Sequence, residues 1–344
     1  MQFHGVAVLV GFCLLGLGTP ARPQGLREFL RSRGFTAAEL QALDRGEAIA
    51  KSLGAEMVGV NETAEVVVGG AVRVDVPRDV FVAAVRNVQG FRNDGMVSIG
   101  IINPAPQASD FGAVSLPADD LRELRSCKPG DCSVKLPRAI IAELRAKVDW
   151  RAPDHAEQVN RFAREHLLAA MKAYLREGTT AFLTLEDKPK QVSLDQNFRE
   201  LLQKTPELLV YYPEIHAFML EFPKRPLEGS ESVFYWSLNS FGLKPTLTLT
   251  HAAGYAPKGT EDVVVLWKQL YASHYFNGSL GVTAYRSEPG ASYVAHVDRV
   301  RADGLGGAFG GIKRGKMAGA MAGSLKKFLE ATRTNLRARA PTGR

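Results

Sequence analysis

The last third of the chain reads TLTLTHAAGY (246–255), VVVLWKQLYASH (263–274), SLGVTAYR (279–286), SYVAHVDRV (292–300) and IKRGKMAGAMAGSLKKFLEATRTNL (312–336). The first four segments alternate in hydrophobicity or are continuously apolar, which predicts strands. Asn277-Gly278, between the second and the third, is typical of a tight hairpin turn. The final segment carries apolar residues at helical spacing. We therefore predict an antiparallel meander followed by one long C-terminal helix that packs on it.

Another pair of strands and two helices are predicted nearer the start of the chain. One strand face carries Val66, Val68, Val72, Val74 and Val76. Pro77 ends this strand, the short amphipathic helix Arg78–Val88 follows, and a second strand is predicted at Met96–Ile102. Upstream, Thr36-Ala37-Ala38-Glu39 matches a capping box, which predicts a helix that continues to about Leu53.

The middle of the chain is predicted to be mostly helical. Pro137–Val148 is a short helix in this prediction, and Pro153–Arg176 is a long one. One stripe of the long helix carries Val159, Phe162, His166, Ala170 and Tyr174. Further helices are predicted after Ser193, Thr205 and Pro213, where capping residues or a first-turn proline occur.

An apolar leader opens the sequence. Val6–Leu17 is apolar but shorter than the roughly 20 residues that a membrane-spanning helix needs. Together with the small residues that end at Ala21, it is typical of a signal peptide cleaved after that residue, although no Lys or Arg precedes it. An uncleaved anchor and a misassigned start codon are the alternatives. We predict a periplasmic or secreted protein that is soluble once the leader is removed.

Two cysteines, Cys127 and Cys132, remain when Cys13 is removed with the leader. Pro129-Gly130 between them is typical of a type II turn, which brings the ends of a short loop together. In an oxidising compartment this arrangement predicts a disulfide. A metal clip or a redox pair are the alternatives, but a metal needs further ligands that the neighbouring sequence lacks, and familiar redox motifs use a shorter spacing. We expect no metal site.

The formal net charge of the chain is +7, and its excess lies on the C-terminal helix and tail. From Lys313 onward the basic residues are Lys313, Arg314, Lys316, Lys326, Lys327, Arg333, Arg337, Arg339 and Arg344, and the acid is Glu330. One interpretation is contact with an anionic membrane surface, and the other is a solvated helix face. Secretion would separate the protein from nucleic acid, so no nucleic-acid partner is expected.

The stretch from Gly310 to Lys316 begins like a phosphate-binding loop, but Met317 stands where a hydroxyl would bind magnesium. Nucleotide binding is therefore not predicted, and neither is any other cofactor. Gly315, Gly319 and Gly323 give one side of the predicted helix a flat surface, which would let a backbone or a ligand approach closely. The motifs G-x-S-x-G, H-E-x-x-H and C-x-x-C do not occur in the sequence.

Candidate site residues come from the C-terminal strands, which carry histidines, a lysine and aromatic side chains. They are His251, Tyr255, Trp267, Lys268, Tyr271, His274 and His296. His251 shares its strand face with Leu247 and Leu249, so we expect it on the apolar side of the sheet. A hydrogen-bonded core histidine and a ligand-orienting or acid-base histidine both fit this pattern. Either face of the aromatic strand at 267–276 could be the interior one.

The segment Gly70–Phe91 resembles the opening of the START and polyketide-cyclase superfamily. The residues that carry the likeness are Val74-Asp75-Val76-Pro77, Val80-Phe81 and Val85-Arg86-Asn87-Val88. The resemblance covers about 47–102 and 244–336 and implies the helix-grip fold, in which a strand and small helices precede a curved antiparallel sheet that wraps a long C-terminal helix. Asn87 stands where members usually carry Asp, and a mostly helical insertion separates the two matching parts.

The resemblance implies an internal cavity between the sheet and the C-terminal helix that binds a lipid or another apolar small molecule. We therefore predict an α+β, helix-grip-like binding or carrier protein rather than an enzyme. The alternatives are an extracytoplasmic enzyme that uses cavity His and Lys residues for acid-base chemistry, and a surface interaction protein without a cavity. The predicted division is a signal peptide (1–21), an N-terminal helix with the first core strands and small helix (22–103), a helical insertion with the cysteine loop (104–243), the meander with the long helix (244–338) and a basic tail (339–344).

Overall fold

The computed structural model describes residues 25–91, 96–240 and 244–340. The predicted signal peptide and the last four residues of the predicted tail lie outside the described residues. Within the described ranges, no helix is both long enough and apolar enough to span a bilayer.

Most strands of the protein join one antiparallel sheet. The strands are β1 (Ile49–Met57), β2 (Ala64–Arg73), β3 (Met96–Ile102), β4 (Thr184–Leu185), β5 (Val192–Ser193), β6 (Glu231–Asn239), β7 (Thr246–Tyr255), β8 (Val263–Ala272), β9 (Phe276–Glu288) and β10 (Ala291–Ala302). The sheet has eight strands in the order β1-β2-β10-β9-β8-β7-β6-β3, while β4 and β5 form a separate pair.

Helices precede the sheet, lie between its strands and end the chain. They are α1 (Leu26–Ser32), α2 (Ala37–Asp44), α3 (Arg78–Arg86), α4 (Val88–Phe91), α5 (Ala118–Leu124), α6 (Arg138–Lys147), α7 (His155–Glu177), α8 (Leu194–Gln203), α9 (Pro206–Tyr211), α10 (Pro213–Glu221) and α11 (Gly310–Arg339). Short 3-10 turns occur at Ala108–Phe111 and Gly178–Ala181.

The long helix α11 covers one face of the sheet, which we call the helix face, and it packs mainly on β1 and β2. Phe328 and Leu329 of α11 are buried in the same cluster as Val72 of β2. Gly70 of β2 permits the close approach, because a Cβ atom there would lie 2.9 Å from Leu329 Cδ1 and 2.3 Å from the carbonyl oxygen of Ile49. A strand glycine, and not a helix glycine, therefore brings helix and sheet together.

The opposite face of the sheet, which we call the insertion face, is covered by helices that lie between β3 and β6. Leu249 of β7 is buried in one cluster with Leu167 and Met171 of α7. Leu266 of β8 is buried in another cluster with residues of α8, α9 and α10 such as Phe198. Because both faces are covered, the central strands are apolar on both sides, as in sheets that lie between two layers.

The α+β class, the antiparallel meander and the long C-terminal helix are confirmed. β2 pairs with the last strand β10, so the first and last strands of the predicted core are neighbours. The helices α3 and α4 follow β2, and α11 packs over β2 from the C-terminal end of the chain. This order of strands and helices is helix-grip-like.

Two strands of the eight-stranded sheet, β1 and β6, were not expected from the sequence, and neither was the short pair β4 and β5. The helix that begins at the Thr36 capping box ends at Asp44, and its predicted continuation to Leu53 is wrong because Gly46, at a φ of 86°, turns the chain into β1. Strand β6 lies inside the stretch predicted as helical insertion, where it pairs with β3 and β7. The inserted helices therefore lie between residues 103 and 230.

A candidate apolar cavity under the inserted helices

A cavity of about 310 Å³ lies between the insertion face of the sheet and the helices α6 and α7. Its floor is formed by Leu247 and Leu249 of β7 and by Leu270 and Tyr271 of β8. All four floor residues are buried. The volume lies at the lower end of the range that small-molecule sites occupy.

Alanines of α7 leave this space open. Ala163, Ala170 and Ala173 line the cavity, while the larger Leu167 and Met171 of the same helix also border it. A methyl side chain at these positions cannot reach the leucines of the floor. Apolar spaces of this kind offer water few hydrogen-bond partners and accept apolar molecules instead. The lining is therefore suited to a hydrocarbon-like ligand.

One side of the cavity faces solvent, between α6, α7 and residues 181–183. Lining residues on this side, such as Ile140, Ala170 and Phe182, are only partly buried. His166 lies here too, with its Nδ1 atom 2.9 Å from the carbonyl oxygen of Phe162 and its Nε2 atom 3.1 Å from Glu143 Oε2. We call this side the mouth. The side chains of His166 and Glu143 provide polar groups there.

The polar groups of the floor are already engaged with the backbone. The Tyr271 hydroxyl donates a hydrogen bond of 2.9 Å to the carbonyl oxygen of Lys135, and burial raises the pKa of this hydroxyl above its usual value. Ser273 Oγ accepts a hydrogen bond of 3.0 Å from the backbone N–H of Leu247. Neither group has to bind a ligand to be satisfied. The deep part of the cavity is thus apolar in its chemistry.

A disulfide fixes one wall of the cavity. Cys127 and Cys132 are bonded, with their Cα atoms 4.5 Å apart. Leu124 lies just before this loop and Val134 just after it, and both line the cavity. The cross-link therefore holds the wall segment before the loop to the one that follows it.

Tyr174 forms the wall of the cavity nearest to His251. Its hydroxyl lies 2.8 Å from His251 Nδ1, and His251 Nε2 lies 2.9 Å from Ser232 Oγ. Burial raises the pKa of Tyr174 well above its usual value and lowers the pKa of His251 well below its usual value. Tyr174 therefore donates to Nδ1, and neutral His251 donates from Nε2 to Ser232. His251 lies behind the cavity wall and not on the cavity surface.

Lys268 lies opposite His251 on the neighbouring strand of the sheet. Its side chain is completely buried, and its Nζ atom lies 3.8 Å from the ring centroid of Phe198 and 5.0 Å from those of Tyr174 and Phe182. We call these three rings the aromatic cage. Burial lowers the pKa of Lys268 well below its usual value, so the amine is much less basic than a surface lysine.

His274 lies beyond the floor, in a buried pair with Asp120 of α5. Its Nε2 atom lies 2.9 Å from Asp120 Oδ1, and its Nδ1 atom lies 2.9 Å from the carbonyl oxygen of Ser133. Both side chains are at most 3% exposed. This pair joins α5 to the chain that follows the cysteine loop, and it has the character of a structural contact.

Trp267 and His296 lie on the helix face, on the other side of the sheet. Trp267 Nε1 donates a hydrogen bond of 2.9 Å to Thr283 Oγ1, which lies 2.8 Å from His296 Nδ1. His296 Nε2 lies 2.9 Å from Asp298 Oδ2. His296 is also among the residues that border a smaller cavity of about 60 Å³, which is lined mainly from the other side of the sheet by residues such as Phe29 of α1 and Tyr211 of α9. This chain of polar groups is separated from the larger cavity by the thickness of the sheet.

The seven residues predicted from the sequence do not gather in one place. Tyr271 lines the larger cavity, His251 and Lys268 lie behind its wall, and Tyr255 is buried under α10 in another cluster. The three histidines occupy separate environments, so they do not form one acid-base group. In the described part of the chain, His, Cys, Asp and Glu side chains form no group of three suited to a metal ion.

The residues of α7 that line the cavity were not among the site candidates predicted from the sequence. The predicted stripe of this helix contains His166, Ala170 and Tyr174, and all three line the cavity. The combination of alanines with a histidine on one apolar stripe was the available signal. The resemblance implied a cavity between the sheet and the C-terminal helix, whereas neither of the two cavities described here is lined by a residue of α11.

Several basic residues of α11 bind the protein itself. Arg333 donates to the carbonyl oxygen of Gly46, Arg337 donates to that of Val74 at 3.0 Å, and Arg314 donates to that of Leu305 at 3.1 Å. These contacts hold part of the basic surface to the body of the molecule. Binding to an anionic membrane surface stays a prediction.

No protein-family model and no curated protein matches the chain. Among solved structures, the chain is similar to the di-domain ARO/CYC BexL from the BE-7585A biosynthetic pathway, with 12% sequence identity and a TM-score of 0.25. The match covers 56% of this chain and 63% of that chain, so it spans less than two thirds of that protein. The assignment of the fold therefore rests on the strand order and on the packing of α11.

Proposed function

We propose that this protein binds an apolar small molecule in the cavity between α6, α7 and the insertion face. The observation that carries the proposal is the cavity of about 310 Å³, with its leucine floor and its alanine wall. An apolar ligand of about ten heavy atoms or more would bury most of its surface there, and each buried CH₂ group is worth about 0.8 kcal/mol.

The polar groups of the site favour binding over chemistry. His166 and Glu143 lie at the mouth, where they can meet the polar end of an amphipathic ligand. Tyr271 and Ser273 are engaged with the backbone and offer no free group to a reacting atom. A binding or carrier role needs this combination of a dry interior and a polar entrance. The predicted leader and the disulfide are consistent with a carrier outside the cytoplasm.

Native mass spectrometry of the full-length protein, purified without detergent, tests whether a ligand is present. We expect a discrete apolar mass that is released by solvent extraction. If the protein is purified empty, it is then incubated with decanol and with a mixed lipid extract. Failure to take up any component of either would contradict the proposed function.

A cavity-filling variant tests whether the ligand occupies this cavity. Ala170 lies between His166 and Tyr174 on the cavity side of α7, so Ala170→Phe places a ring inside the space. We expect this variant to lose most of its affinity for the fluorescent apolar probe N-phenyl-1-naphthylamine. The matched control is Ala142→Phe, since Ala142 is exposed on α6 and does not line the cavity. Equal probe affinity in both variants would contradict the assignment, provided that both show unchanged circular dichroism.

A further inference from the structure

Lys268 has an environment that a purely structural lysine does not need. Its side chain is fully buried, and its hydrogen bond runs to the carbonyl oxygen of Met219 at 3.3 Å. Among the described residues it forms no ion pair within 4 Å. Cation–π contacts with the aromatic cage offset only part of the cost of removing an ammonium ion from water. A methionine or leucine would fill the same space without that cost.

The cage stands between Lys268 and the apolar cavity. Tyr174 and Phe182 are cage rings, and both also line the cavity. These two side chains therefore lie between the amine and a molecule bound in the cavity. Phe182 is partly exposed and directly follows the 3-10 turn Gly178–Ala181, so a rotation of its side chain would open the partition without moving the sheet.

We propose that Lys268 forms an imine with an apolar aldehyde that occupies the cavity. This inference rests on the proposed function, because the cavity must first hold the aldehyde. The neutral amine donates its lone pair to the carbonyl carbon, and the carbonyl electron pair moves to the oxygen, which takes up a proton from the nitrogen. The hydroxyl group of this carbinolamine then leaves as water together with the second amine proton, and the C=N bond forms. The step needs no oxidant and no reductant.

The protonation state of the Lys268 amine supports imine formation. A lysine with a pKa near 10.4 is almost entirely protonated at pH 7 and reacts slowly with carbonyl compounds. Burial in the cage lowers the pKa of Lys268, which raises the fraction of free amine at neutral pH. Within the fold, Lys268 therefore combines a nucleophilic form with a position behind the wall of an apolar cavity.

Reductive trapping tests the proposal on the full-length protein. The protein is incubated with decanal and sodium cyanoborohydride at pH 7, and the alkylated lysines are mapped by peptide mass spectrometry. We expect the main adduct on Lys268. We expect its loss in Lys268→Met and Lys268→Arg, and its retention in Lys258→Met, since Lys258 is an exposed lysine. An excess of decanol, which fills the cavity but cannot form an imine, should suppress the adduct on Lys268.

The possible failures are distinguishable. Adducts spread over exposed lysines, with Lys268 unmodified in a protein that still binds N-phenyl-1-naphthylamine, would overturn the imine and leave the proposed function standing. An adduct on Lys268 that persists in Ala170→Phe and in excess decanol would overturn the route through the cavity. If neither probe nor decanal binds, both proposals fail together.

Discussion

At the scale of single residues, Lys268 is the position where charge and burial conflict most directly. Its side chain is completely buried, and its pKa is lowered by that burial. In the folded protein the amine is therefore neutral over a range of pH in which the unfolded chain carries a proton on it. Unfolding binds a proton in this range, so the free energy of unfolding rises with pH.

We expect Lys268→Met to raise the free energy of unfolding at pH 7, because methionine fills the space without a protonation penalty. The advantage over the wild type should shrink by about 1.4 kcal/mol for each pH unit between the lowered pKa of the folded state and the usual value. That usual value is 10.5. Urea denaturation of both proteins at pH 7 and pH 9 measures the difference.

The comparison of variants separates charge from volume. Lys268→Ala removes the charge and also leaves an unfilled space, so it should be less stable than Lys268→Met by about 2 kcal/mol or more. If the gain in the free energy of unfolding of Lys268→Met over the wild type does not change with pH, the Lys268 amine keeps its proton in the folded protein. A loss of stability in Lys268→Met would show that the cage stabilises the ammonium ion more than burial penalises it.

The sequence predicted some of these positions and not their surroundings. Alternation placed His251 on one strand face with Leu247 and Leu249, and the structure places all three on the insertion face. For the strand at 267–276, the sequence did not show which face is the interior one, because aromatic and aliphatic residues occur on both. The cage depends on Tyr174, Phe182 and Phe198, which are distant from Lys268 in sequence and meet it only in the fold.

At the scale of elements, α11 contains glycines that the packing does not require. A Cβ atom added at Gly315, Gly319 or Gly323 would meet no described atom within 4 Å, so close packing at this surface is not found among the described residues. We expect Gly319→Ala to stabilise the protein by about 0.5 to 1 kcal/mol, because alanine has the higher helix propensity. Chemical denaturation with matched m-values measures this gain.

Gly70→Ala is the control with the opposite sign. An added methyl group at this position would lie within 2.3 Å of the Ile49 carbonyl oxygen, in the interface between β1, β2 and α11. We expect a loss of stability at Gly70 and a gain at Gly319 from the same chemical change. If Gly319→Ala also destabilises the protein, a further contact must cover this surface of α11.

Strands and helices with a clear hydrophobic period were predicted well, whereas strands without one were not. The four C-terminal strands and α11 were predicted within a few residues of their observed bounds. Strand β6 was missed because Phe234 and Trp236 face one side and Tyr235 the other, so both sides of the strand are apolar. Strand β1 was missed because a true capping box precedes it, but the helix ends at Asp44 and Gly46 then turns the chain.

At the scale of the whole molecule, the inserted helices give the sheet a second covered face. A helix-grip-like core with α11 needs a cover on the helix face only. Here α7 to α10 bury the insertion face as well, and the larger of the described cavities lies between these helices and the sheet. Sequence alone could not show this arrangement, because the direction in which an insertion folds back is set by long-range contacts.

The most direct test of the central claim is photolabelling with an apolar alkyl diazirine, followed by peptide mapping. If the ligand occupies the cavity under the inserted helices, crosslinks should concentrate on α7 and on the floor strands β7 and β8, and Ala170→Phe should remove them while Ala142→Phe does not. Crosslinks confined to α11 and the helix face, unchanged in Ala170→Phe, would contradict the account and place the binding site on the other side of the sheet.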